Sequence, residues 1–274
     1  MTNAAVLDRD RWVEQWHEAF VGDDLDHDRW VPHYLPHWTT PERSRARYRV
    51  ADGVLELRIE ADQPAWLPDD GPMRVSNVQS GSWSGPAGSP VGQHRHRDDL
   101  RVVTPQPTRR LVTPSAGLVE VELRASPDPT CMLAFWLVGF EEGSPRDSGE
   151  LCVAELFGHA VGQEQSVVRT GVKAHHDPHL VDDVVDVRLD IDTSQWHRYA
   201  VEWTARASRF YVDDRLVHSV PQGTGYPLQL MIDLFEFPED KTRDPADYPR
   251  TAEVRGVRLH RPADGESRRT VVAP

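Results

Sequence analysis

The sequence predicts an all-β chain, an antiparallel sandwich or barrel with one short helix at its N-terminus. Three observations predict it. Short apolar or alternating stretches recur along the chain, Pro, Gly and Asp separate them at short intervals, and helical spacing is confined to one segment near the start.

Taken in order, Trp12, Val13, Trp16 and Phe20 recur at helical spacing with Asp8, Arg9, Glu14 and Glu18 between them. This predicts a short amphipathic helix packed on the body. Residues 54–59 alternate weakly, and residues 119–124 (Val-Glu-Val-Glu-Leu-Arg) alternate strictly, as a half-buried strand does. Residues 198–203 and 209–212 flank a turn at 204–208 and predict a hairpin. A last strand is expected at 254–259, followed from Arg261 by a polar, loose tail. Long loops are expected at 84–99, 141–148, 174–186 and 238–250, and loops of such length in a compact domain usually serve function. Neither an internal repeat nor a domain-splitting linker occurs, so one domain is expected.

The 274 residues are 38% apolar, enough for a sizeable core, and no stretch approaches the roughly 18 uninterrupted apolar residues of a spanning helix. Residues 1–10 lack an apolar signal-peptide core, so the chain as written is expected in the cytoplasm, and outside the cell if a leader has been removed. The net charge of −13 disfavours nucleic acid and anionic membrane as partners and suits a neutral glycan. The basic residues are nearly all Arg, with Lys173 and Lys241 the only lysines. Two cysteines, Cys131 and Cys152, cannot build a disulfide framework or a four-thiolate zinc site; they form a single bridge or are two buried thiols.

The most informative segment is residues 149–158, Gly-Glu-Leu-Cys-Val-Ala-Glu-Leu-Phe-Gly. On a regular strand Glu150 and Glu155 would point to opposite faces, because side chains alternate. One extra residue in a β-bulge near Val153 and Ala154 would return Glu155 to the face of Glu150 and Cys152. Two readings stand at this point: a carboxylate pair of the glycosidase kind, about 5–5.5 Å apart in retaining enzymes and about 6.5–9.5 Å in inverting ones, or two acids five apart by chance and exposed on a surface strand.

The surroundings of this pair carry a family resemblance. Residues 134–137 (Ala-Phe-Trp-Leu) precede Gly149-Glu150, residues 196–204 (Trp-His-Arg-Tyr-Ala-Val-Glu-Trp-Thr) follow, and residues 209–213 (Arg-Phe-Tyr-Val-Asp) come after them. In this order they resemble the laminarinase-like branch of glycoside hydrolase family 16, with its A-F-W-L strand, G-E-x-D-x-x-E motif, H-x-Y-A-x-E-W segment and R-F-Y-V-D-G segment. Gly117 and Glu120 match a further Y-G-x-x-E-A-R strand, with Glu122 where the family has Arg. The resemblance spans residues 20–259. It implies a concanavalin A-like jelly roll of two curved antiparallel sheets over residues 20–260, with a helical extension at 1–19 and a polar tail at 261–274. By position it makes Glu150 the nucleophile and Glu155 the general acid/base. Cys152 stands at the assisting position that the family fills with Asp, and a thiol is a weak donor and acceptor. Arg255 stands where the family places a calcium-ligating Asp, so no metal is expected, and neither is a cofactor.

Trp136 and Trp83 are candidate sugar-stacking residues, with burial in the core as the other reading, and Trp196 and Trp203 read as core. His175, His176 and His179, with Asp177, form a loop cluster that reads as zinc-binding or as a polar rim. By position it resembles a cleft-rim loop of the family, which makes His175 and His176 candidate sugar contacts. Glu236 lines the cleft or sits at an exposed edge, and residues 94–97 (His-Arg-His-Arg) read as a solvated loop. No serine-hydrolase elbow, phosphate loop or dinucleotide fingerprint occurs. The expected function is a retaining glycoside hydrolase of β-linked glucan or a related neutral polysaccharide. The alternative is a carbohydrate-binding protein that kept the cleft and lost the chemistry.

Overall fold

Alternation builds one sheet, and continuous apolar runs build the other. In the computed structural model, which describes residues 5–238 and 244–263, the strands in chain order are β1 (Trp12–Glu18), β2 (Arg47–Ala51), β3 (Val54–Ile59), β4 (Arg74–Gln79), β5 (Gly81–Ser82), β6 (Arg109–Arg110), β7 (Gly117–Arg124) and β8 (Cys131–Gly139). There follow β9 (Glu150–Phe157), β10 (Ser166–Lys173), β11 (Asp183–Leu189), β12 (His197–Thr204), β13 (Ala207–Val212), β14 (Arg215–Val220), β15 (Leu228–Glu236) and β16 (Arg250–Pro262). Eight of them form one antiparallel sheet, ordered β14-β13-β12-β7-β16-β3-β2 with β1 also on β16; six form the other, β11-β10-β9-β8-β15-β4. The two sheets face each other as a jelly-roll-like sandwich.

The core between them takes every second residue of β7 (Val119, Val121, Leu123) and of β8 (Cys131, Leu133, Phe135, Leu137), together with Trp30, Tyr199 and Trp203. The six-stranded sheet is apolar on its other face as well. Met132, Ala134, Trp136 and Val138 of β8, with Met231 and Phe235 of β15, pack beneath Tyr34, Trp38, Trp66, Leu100 and Val102 from the connecting segments. Burial on both faces explains why β8 and β15 read as unbroken apolar runs.

The expected N-terminal helix is not formed. A single 3-10 turn at Arg9–Arg11 leads into β1, which pairs antiparallel with the second half of β16, from Trp12 opposite Pro262 to Glu18 opposite Val257, with a register shift between Glu14 and Trp16. A short run with residues at i and i+4 fits a period of two as well as 3.6. The available hydrogen-bonding edge of β16 decides between them. Trp16 then packs edge-on against Trp30 at 6.1 Å, while buried Glu18 accepts hydrogen bonds from Trp30 Nε1 at 3.1 Å and from the Phe20 amide at 2.7 Å. The hairpin expected near residue 206 forms as β12 and β13. The last strand is longer than expected and absorbs the first residues of the anticipated tail; residues 264–274 lie outside the described residues.

Candidate active site

The bulge forms at the expected place. Between β8 and β9 the pairing runs Phe135 with Ala154 and then Trp136 with Cys152, leaving Val153 as the extra residue, and the β9–β10 ladder shifts at the same point. Opposite the bulge, Gly171 adopts φ +147°, and a Cβ there would come within 2.1 Å of the Asp183 carbonyl oxygen, so only glycine fits. The extra residue keeps Leu151, Val153, Ala154 and Leu156 in the inter-sheet core. Glu150, Cys152 and Glu155 are thereby turned together to the outer face, their side-chain ligand atoms all within 4.8 Å of one another.

Both carboxylates are held by one cation. Lys173, directly opposite Glu150 on β10, places Nζ 2.9 Å from Glu150 and 2.7 Å from Glu155. Glu150 also pairs with His175 Nε2 at 2.7 Å. Burial alone would raise the Glu150 carboxyl, but His175 and Lys173 outweigh it and hold the group at about 2. Burial likewise opposes the charge of Lys173, and Glu150 and Glu155 overcome it, raising its pKa. The Cys152 thiol is fully buried and points to the Arg169 carbonyl oxygen at 3.7 Å; burial lifts its pKa well above the thiol range, so it stays neutral. His175 thus contacts Glu150 where Cys152 does not.

Beneath the pair, the Trp136 Nε1 donates to Asp233 Oδ2 at 2.5 Å, and Asn77 donates to Asp233 Oδ1 at 2.6 Å. Burial pushes the Asp233 carboxyl up to about 8. His94 lies above Trp136, ring centroids 5.4 Å apart, and meets His175 edge-on at 4.8 Å. Its position is fixed by Gln93. The Gln93 side chain accepts from Trp83 Nε1 at 2.6 Å and donates to the Gly139 carbonyl oxygen, while its own carbonyl oxygen accepts from Trp38 Nε1 at 2.9 Å. The His94 amide donates to Glu141, whose carboxyl burial raises to about 7. Far from being solvated, His94 is part of the site.

One cavity, of about 460 Å³, is lined by Glu155, Lys173, Arg169, Asp182, Val184 and Asp186. A second, of about 600 Å³, has Trp83, Gly92, Arg95, Glu141, Arg146 and His176 among its walls. Trp83 and His176 are among the walls of the larger cavity, but Trp83 and Trp136 are both almost fully covered, at 8% and 6% exposed.

Glu236 does not line this face. It sits on the opposite side of β15 from Met231, Asp233 and Phe235, accepts a hydrogen bond from Tyr248 at 3.0 Å and lies 3.6 Å from Arg74. Strand parity in β15 dictates this, and the flanking aromatics conceal it. His179 is exposed, its amide bonded to Asp177, and joins neither carboxylate. Trp196 is half-buried on the eight-stranded sheet between the guanidinium groups of Arg124 and Arg255, not in the core. The residues at the family's calcium position do not fit calcium, since Arg255 there pairs with Glu122 at 2.8 Å. Both cysteines are free and buried.

Residues 114–237, somewhat under half of the chain, match the family model "Glycosyl hydrolases family 16". The fold and the matched segment are those of family 16. Among solved structures, a GlcNAcα1-4Gal releasing endo-β-galactosidase from Clostridium perfringens is similar at TM-score 0.78 and 23% identity, over 95% of this chain and 65% of that one. This chain thus spans about two thirds of that structure's length. The catalytic domain of an endo-1,3-β-glucanase (laminarinase) from Thermotoga petrophila RKU-1 is similar at TM-score 0.62 and 15% identity, over 92% and 99% of the two chains. A structure from work on endo-acting O-glycanases of the human gut microbiota is similar at TM-score 0.57 and 18% identity, over 95% and 94%. No curated protein matches the chain. These neighbours share the fold, and the family 16 segment contains both Glu150 and Glu155.

Proposed function

We propose that the protein is a retaining glycoside hydrolase acting on a β-linked glucan or a related neutral polysaccharide. The observation that carries this reading is the bulged strand β9, which brings the Glu150 and Glu155 carboxylates within 4.8 Å on one face. Such proximity suits direct attack by one carboxylate, as in retaining enzymes, more than the wider spacing of inverting ones.

In the reaction, Glu150 attacks the anomeric carbon from one side of the ring as Glu155 protonates the departing glycosidic oxygen. Glu155 then takes a proton from water, which attacks the anomeric carbon and releases Glu150. Glu150 is held ionised, as a nucleophile requires, and His175 aims it through the 2.7 Å contact. Lys173 donates to the same Glu155 oxygen region that the glycosidic oxygen must approach, so the substrate displaces the ammonium from Glu155 while leaving it on Glu150.

The shared lysine favours a second reading, a protein that binds glycans without cleaving them. A reducing-end assay over β-1,3-glucan, mixed-linkage glucan and β-galactan, with Glu150→Gln and Glu155→Gln beside the parent, separates the two. Cleavage abolished by both substitutions supports the hydrolase, and saturable binding with no new reducing ends supports the second reading. Cleavage that persists unchanged in Glu150→Gln contradicts the assignment of the nucleophile.

A further inference from the structure

The side chains of His94, Glu150 and His175 converge from three separate elements, and their ligand atoms lie within 4.8 Å of one another. Two imidazoles and one carboxylate are the donor set of a zinc site with an open coordination position. Imidazole nitrogen selects first-row transition ions over calcium or magnesium, which take oxygen. We propose that this triad binds one divalent transition metal ion of the zinc class, and that the ion and glycan hydrolysis exclude each other because they share Glu150.

Several features aim these groups independently of one another. His94 and His175 are both in the left-handed backbone region, at φ +52° and +47°, a conformation that non-glycine residues hold only where the surroundings enforce it. Gln93 enforces it for His94 through its bonds to Trp83, Trp38 and Gly139. For His175 the flanking residues do so: the Ala174 amide donates to Asp182 at 2.7 Å, and the His176 amide donates to Ser148 at 2.9 Å. Glu150 divides its oxygens, Oε1 toward Lys173 and Oε2 toward His175 Nε2. Lys173 therefore occupies one oxygen and leaves the other for the ion. Binding moves the His175 proton to Nδ1 and frees Nε2 as the ligand atom. His175 is exposed, so the ion can reach the triad from solvent. Once seated, the ion replaces the His175 contact that aims Glu150 and draws the charge of Oε2 away from an anomeric carbon. This exclusion rests on Glu150 being the nucleophile; the metal site itself does not.

The test uses the full chain, stripped with EDTA and exchanged into chelator-free buffer. Calorimetric titration with zinc chloride is expected to give one site per chain, and cobalt(II) is expected to give visible d–d absorption. His94→Ala and His175→Ala should each weaken zinc at least tenfold while keeping the parent melting temperature, and His179→Ala should leave affinity unchanged. His175 is at the rim, so its removal leaves the core intact even if His94→Ala fails to fold. An absence of zinc binding, or affinity indifferent to His175→Ala, overturns the site. In the reducing-end assay zinc should suppress cleavage along its own binding curve, and EDTA should restore it. Zinc bound at the triad with cleavage undiminished overturns the exclusion alone. If no glycan is cleaved, the titration still decides the metal site, and the proposed hydrolase reading fails separately.

Discussion

Two buried carboxylate clusters, one on each sheet, differ in what surrounds their cations. On the eight-stranded sheet, Glu120 accepts from Arg9 at 2.9 Å and meets His260 at 3.2 Å, and Arg9 continues to Asp214 at 2.6 Å. Burial works against its ionisation, and His260 and Arg9 overcome it, holding it at about 2. Glu150 is held at about 2 by the same kind of arrangement. A depressed pKa therefore does not distinguish them. The six-stranded sheet adds a bulge that brings a second carboxylate alongside, and a cavity of about 460 Å³ lined by that carboxylate and by Lys173. The Glu120 cluster ties the N-terminal segment to β7 and β16.

The sharpest way to break this comparison is to remove one acid from each cluster. Glu150→Gln should lower hydrolysis by roughly 10²–10⁴-fold and also lower the melting temperature, because its carboxyl is held at about 2 by Lys173 and His175. Glu120→Gln should leave hydrolysis unaltered and lower stability by about 1.5–3 kcal/mol, the worth of hydrogen bonds to a charged group, as read by urea denaturation at pH 7. Its pH dependence follows from a folded pKa near 2 against an unfolded value of about 4.3. The stabilisation is complete above about pH 4.3 and disappears as pH falls toward 2, so the parent and Glu120→Gln should converge in acid.

Asp233 gives the opposite sign. Its folded pKa of about 8 exceeds an unfolded value near 3.9, so its favourable contribution is complete below about pH 4 and is lost as pH rises through 8. Asp233→Asn should flatten that decline in melting temperature, since an amide oxygen can accept from Trp136 without ionising. The smallest effect belongs to the surface pair Arg255 and Glu122. Arg255→Ala should cost up to about 1 kcal/mol and leave hydrolysis unchanged.

The bulge was legible because Glu150 and Glu155 are five apart, an odd interval that a strand can bring to one face only by adding a residue. The two departures at Glu122 and Arg255 were legible singly, but their being paired partners required the β7–β16 register. Lys173 could have been suspected as one of only two lysines in an arginine-rich chain, because the compact ammonium fits between two carboxylates where a guanidinium would not. His94 could not have been found. Its loop sequence is polar, and only the anchoring of Gln93, 46 residues from Gly139 in the chain, brings it over Trp136. The N-terminal segment misled because Trp12 and Trp16, four apart, read as one helix face, whereas the register shift in β1 sends Trp12 to the cluster of Leu118 and Tyr211 and Trp16 to the inter-sheet core; the edge of β16 that imposes this is a tertiary fact.

The stereochemistry of the first product bears most directly on the account. Proton NMR in the first minutes of hydrolysis, on whichever glucan or galactan is cleaved, should show the β-anomer of the new reducing end ahead of mutarotation. An initial α-anomer would mean that water attacks directly, and two carboxylates this close could not then act as nucleophile and acid/base.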